Sequence, residues 1–154
     1  MLAITSTAIS LVAVGFSAIV FAEGRTRHKR DMFLKIHEIM ISEASYRGRQ
    51  LLLSQAFTEK SINDLDSSRR ADVSRTLALF DTMGMYLDRG YLVEDDVLSM
   101  WGSRVGRVWN AAQPFIRRRE RQTPGIRAYP YFQHLVERAQ KSGLDAQGPR
   151  TIDE

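Results

Sequence analysis

The chain has 154 residues, 44% of them hydrophobic and 26% charged, and no cysteine. That length holds one modest domain, and the composition is globular and not that of a disordered chain. The missing thiols exclude disulfides, thiolate zinc sites, iron–sulfur clusters and cysteine nucleophiles. The net charge of +4 is local: Arg25, Arg27, Lys29 and Arg30 account for it, and the other 18 basic residues match the 18 acidic ones.

Leu2 to Ala22 carries no charged side chain. At roughly 1.5 Å per residue such a helix is about 31 Å long, close to the ~30 Å hydrocarbon core of a bilayer. Residues 1–22 therefore read as a transmembrane helix and 23–31 as a basic juxtamembrane segment. The alternative is a cleaved signal peptide, with Val20-Phe21-Ala22 as the cleavage site. A signal peptide carries its basic residues ahead of the apolar run, whereas here Arg25, Arg27, Lys29 and Arg30 follow it. The positive-inside rule then places the N-terminus outside, the rest in the cytoplasm, and the protein in the inner (cytoplasmic) membrane. Ser6, Ser10, Ala13 and Ser17 share one face of the span. Small residues on one face let helices approach closely, so this face is a candidate helix–helix contact, the alternative being that small residues are simply common in membrane helices.

Residues 32–141 read as a helical cytoplasmic domain, and 142–154 as a flexible tail rich in Gly, Pro and acids. Phe33, Ile36, Met40 and Ala44 keep helical spacing, and the membrane helix runs on into this one with only Gly24 to weaken it. Gly48 marks a bend before a second apolar patch, Leu51 to Phe57. Ser61 to Ser68 is turn-prone and supplies caps for a helix with Val73, Leu77, Phe80, Met83 and Leu87 on one face. Gly90 stops that helix.

Glu94, Asp95 and Asp96 open the next helix, where carboxylates complement the positive end of the dipole. Its core face is Val97, Trp101, Val105, Val108, Ala112 and Phe115, and Pro114 kinks or ends it. Thr123-Pro124-Gly125 is a turn, and Pro130 starts a last short helix through Tyr131, Leu135 and Ala139. No strand-like alternation is present, so the class is all-α: one N-terminal transmembrane helix and a cytoplasmic bundle of about four helices.

Leu87 to Leu98 (LDRGYLVEDDVL), then Trp101-Gly102, Val108-Trp109, Pro114-Phe115-Ile116 and the aromatic run Tyr129-Pro130-Tyr131-Phe132, resembles a bacterial family known as a domain of unknown function. The resemblance covers roughly residues 33–141 and implies a small protein with an N-terminal membrane helix and a helical cytoplasmic domain. It implies no activity and no catalytic residues. Val93 departs from it, standing where a capping Asp or Ser is expected.

Reaction chemistry has little to work with. His37-Glu38 lacks the second histidine of a zincin motif, His28 sits among cations, and His134 reads as a partly buried core residue. Asp95 and Asp96 point about 100° apart on a helix and do not pair. No nucleophile elbow, Walker loop or dinucleotide fingerprint occurs, and no cofactor or metal is expected. Trp101 and Trp109 share a helical face, as core or as a groove for a partner. Arg117, Arg118, Arg119 and Arg121 read first as complements to a helix C-terminus, then as contacts to anionic headgroups, and last as phosphate contacts of a nucleic acid, without interleaved aromatics.

The expectation is a non-enzymatic bitopic membrane protein acting through protein–protein contacts, as a subunit or accessory of a membrane assembly. Its partners are the bilayer and a membrane protein or a second copy. The alternative is a membrane-tethered binder of anionic lipid headgroups or nucleic acid through Arg117 to Arg121.

Overall fold

A computed structural model describes residues 27–54 and 56–143, the side chains of Glu59 and Lys60 aside. All regular structure among them is helical: α1 (27–41), α2 (Glu43–Ser54), α3 (Glu59–Asn63), α4 (Ser67–Asp88), α5 (Glu94–Gln122) and α6 (Pro130–Lys141). No helix among the described residues is long and apolar enough to cross a membrane. The span expected at Leu2–Ala22, the Ser6/Ser10/Ala13/Ser17 face expected on it, Arg25 and residues 144–154 of the expected tail lie outside the described residues. Arg27, Lys29 and Arg30 form the first described turn of α1.

The all-helical class stands, with six helices among the described residues where about four were expected. One addition is α3, a single turn inside the polar linker. It forms because Thr58 and Ser61 bond to each other reciprocally, the Thr58 N–H donating to Ser61 Oγ at 2.8 Å and the Ser61 N–H to Thr58 Oγ1 at 3.2 Å. The other is the division of α1 from α2. The chain breaks at Ser42, whose N–H and hydroxyl both reach the Ile39 carbonyl, at 3.2 and 2.7 Å.

The expected bend at Gly48 is absent. Gly48 lies inside α2, where a Cβ would overlap Thr76 Oγ1 and the Asp72 carbonyl oxygen. Its function is close approach: α2 crosses α4 at backbone distance, and Arg47 Nε lies 3.4 Å from Asp72 Oδ2 beside the crossing.

The long helix α4 is the central strut, packed by α2 on one side and α6 on another, while α5 closes the bundle against α6, α2 and α3. Asp66 caps α4, its Oδ1 accepting the Arg69 N–H at 2.8 Å. Gly90, at φ +71°, follows its C-terminus, as expected of a left-handed terminator. The core is aromatic at its centre. Phe80 of α4 stacks on Phe132 of α6 at 4.8 Å, and Trp109 of α5 meets Phe132 edge-on at 5.0 Å.

Pro114 does not end α5, which runs on for eight more residues to Gln122. Proline removes one backbone bond from a helix interior at a cost of about 3 kcal/mol. Here packing on both sides offsets it: Ala112 and Ile116 are fully inside the core, and Phe115 meets Phe57 edge-on at 4.9 Å. Arg117 to Arg121 are therefore the last turns of α5 and not a segment beyond it.

Candidate functional site: the Trp101 cleft

Where α1 stops at Ser42, the Met40 carbonyl lies in its last turn. Arg49, two turns into α2, donates its Nη1 to that carbonyl and so stitches α1 to α2. This draws a guanidinium inward: Arg49 is only 8% exposed. Its Cζ lies 5.3 Å from the centre of the Trp101 ring, and the Cζ of Arg104, one turn along α5, lies 5.6 Å from the same ring. Arg104 donates to the Met100 carbonyl at 3.4 Å. Two cations thus share one indole, and their hydrogen-bond acceptors are neutral carbonyls. Burial, and then the nearby Arg104, lower the pKa of Arg49 from the usual guanidinium range.

A buried charge is costly unless paired. No carboxylate is among the described residues lining the cleft around this pair, which encloses about 290 Å³. Its rim is open to solvent and mostly apolar: Ile41 of α1, Tyr46 and Leu53 of α2, and Met100 of α5 are all exposed, with Gln50 beside them donating to the Tyr46 hydroxyl at 2.9 Å. Two further side chains of the lining hold buried polar atoms without a protein partner, the indole N–H of Trp101 and Nδ1 of His37. Leaving such groups unpaired costs on the order of 1–3 kcal/mol each. The arrangement suits an apolar segment that carries a carboxylate.

Trp101 is 3% exposed and also packs edge-on to Phe80 at 6.4 Å, so it is core on one side and cleft floor on the other. Trp109 does not line this cleft; it is half-buried against Phe132. The two tryptophans therefore do not form one groove. Nothing in the sequence singles out Arg49 or Arg104, because their meeting depends on the α1–α2 break.

His134 is exposed and not part of the core, its Nδ1 2.9 Å from Asp88 Oδ2. Arg138 joins the same carboxylate at 3.0 Å and reaches Glu94 at 2.7 Å. This surface network ties α6 to the ends of α4 and α5. Asp95 and Asp96 are exposed in the first turn of α5. Among the described residues no group of three or more His, Asp or Glu side chains could hold a metal ion.

The arginines near the end of α5 part company. Arg117 is exposed; Arg118 donates to Asn63 Oδ1 of α3; Arg119 lies over the Tyr129 ring at 5.5 Å. Arg119 and Arg121 occupy the last turn of α5, where cations complement the dipole. An aromatic ring does accompany this run, supplied by Tyr129 from the loop before α6.

No curated protein and no solved structure matches the chain. A family match runs from residue 4 to residue 139, through the apolar segment and all six helices up to the last turn of α6. The chain belongs to the family described as domain of unknown function DUF4760.

Proposed function

We propose that this protein is a membrane-anchored, non-catalytic docking protein. Its helical domain holds, in the Trp101 cleft, an apolar segment of a membrane-protein partner that carries an Asp or Glu side chain. One observation carries the reading: a buried guanidinium and a second beside it share one indole, with only neutral acceptors and an exposed apolar rim. A carboxylate would supply the missing counter-charge through charge-assisted bonds, and the rim would cover the segment's apolar side chains.

The anchor in this reading is Leu2–Ala22, with the N-terminus outside, the domain cytoplasmic and the protein in the inner membrane of a bacterium. It is supported by the uncharged run, by the cations that follow it, and by a family match that begins at residue 4. The Ser6/Ser10/Ala13/Ser17 face would add a contact within the bilayer, to the same partner or to a second copy.

The test is co-purification of the full-length protein from native membranes in mild detergent. Arg104→Glu and Leu53→Asp, both at exposed positions, are expected to remove a stoichiometric partner that Arg117→Glu retains. Equal retention by all three variants would overturn the cleft as the docking surface.

A further inference from the structure

A second cleft lies on another part of the surface, between α4 and the C-terminal end of α5, and encloses about 100 Å³. Its floor is Ile62, Leu77 and Phe115. Three guanidiniums converge on it: Arg70 from α4, and Arg118 and Arg119 from α5. Each is held from behind by a neutral group. Arg70 Nη2 donates to the Leu65 carbonyl at 2.9 Å and more weakly to Asn63 O at 3.4 Å. Arg118 is held by Asn63 Oδ1, and Arg119 by the Tyr129 ring. No carboxylate is among the described residues lining the cleft. A guanidinium has five N–H donors, so these contacts orient the three groups while leaving most donors unused.

Tyr129 completes the wall. It is the one non-glycine among the described residues with positive φ, at +57°, a strained conformation. The strain is sustained by Asp81, which fixes the second and third residues after Tyr129 by accepting the N–H groups of Tyr131 at 2.9 Å and Phe132 at 3.0 Å. Burial raises the Tyr129 phenol above its ordinary pKa, so its hydroxyl stays protonated and can donate. Ser74 and Gln122 add neutral donors.

We infer that this cleft binds a terminal phosphate group, carried as the monoester of a lipid headgroup or present as free inorganic phosphate. This goes beyond the docking reading and does not depend on it. Size and charge choose the ligand. The volume is well below the roughly 300 Å³ at which organic-ligand pockets begin, so the cleft holds one compact anion and whatever carries that anion stays outside. Three cations from two helices exceed what a single carboxylate needs and match a tetrahedral dianion with several acceptor oxygens.

The experiment uses the full-length protein in nanodiscs. In zwitterionic lipid, inorganic phosphate is titrated and followed by ³¹P NMR; in parallel, binding is measured to vesicles containing phosphatidic acid, a monoester, or phosphatidylglycerol, a diester. Saturable phosphate binding, weakened about tenfold or more by Arg119→Gln and by Arg118→Gln, is expected. Arg117→Gln should leave it unchanged. Arg119 lies on the surface, so its variant reports on the site even where Arg118→Gln loosens α3. Preference for phosphatidic acid over phosphatidylglycerol assigns a lipid headgroup; phosphate binding without that preference assigns the free ion. Absence of binding to both probes, or equal weakening by Arg117→Gln and Arg119→Gln, would overturn the site. Arg104→Glu should bind phosphate normally, which separates failure here from failure of the docking reading.

Discussion

Asp81 does more for the fold than its place in the sequence suggests. One carboxylate oxygen accepts two N–H groups at the start of α6, and Tyr129, the residue in the N-cap position, offers no side-chain cap of its own. Asp81→Ala should therefore cost about 1–2 kcal/mol, the range for losing a helix cap, read as a lower midpoint in urea unfolding. Gly48→Ala sets two effects against each other. Helix propensity would favour alanine by about 1 kcal/mol, while overlap with the α4 backbone at Asp72 costs typically 1–3 kcal/mol. Backbone atoms yield less than side-chain tips, so a net loss of stability is expected by the same measurement. Tyr129 gives a pH signature. Its pKa is raised in the folded state, chiefly by burial, so its contribution is intact below the ordinary phenol pKa of 10.0 and is lost as pH rises through the raised value. Tyr129→Phe should flatten that alkaline limb of a stability–pH profile. None of these roles was legible in the chain order, because Asp81 and Tyr131 meet across 50 residues and Gly48 meets Asp72 across two helices.

At the scale of elements, most of what formed was written in local pattern. The apolar spacing of Val73, Leu77, Phe80, Met83 and Leu87 is the buried stripe of α4, and Gly90 follows its end. Pro130 starts α6. The departures have local causes that tertiary packing decided. Pro114 was outweighed by buried Ala112 and Ile116, and the glycine read as a bend was a contact point between helices. The uncapped start of α5 offers a direct test. Val93 has the extended dihedrals of an N-cap, φ −90° and ψ 127°, makes no side-chain cap bond and is 41% exposed. Val93→Asp should add about 1 kcal/mol of stability, since little apolar burial is lost and an orphan N–H gains an acceptor. A raised Tm with unchanged secondary structure is the expected reading.

At the scale of the whole molecule, the proposed anchor precedes a compact helical domain with two basic clefts, neither of which has a carboxylate among the described residues that line it. The sequence marked the basic runs but not their division. Of the four arginines at 117–119 and 121, two line a cleft with Arg70, while the docking cleft draws on Arg49 and Arg104, which no run announces. That division depends on the α1–α2 break and on where α5 ends, both products of packing. Topology has its own check, helped by a chain without cysteine. A Thr123→Cys variant should react with an impermeant maleimide only after the cytoplasmic side is opened; labelling of intact cells would reverse the orientation.

The central claim is that the Trp101 cleft receives a carboxylate-bearing apolar segment. It is tested most directly by placing a photo-crosslinking amino acid at Leu53, on the cleft rim, in the full-length protein in its native membrane, and sequencing the peptide it captures. The account predicts one membrane-protein segment, apolar around an Asp or Glu, whose capture Arg104→Glu abolishes. Capture of lipid alone, or of a segment without an acidic residue and indifferent to Arg104→Glu, would contradict it.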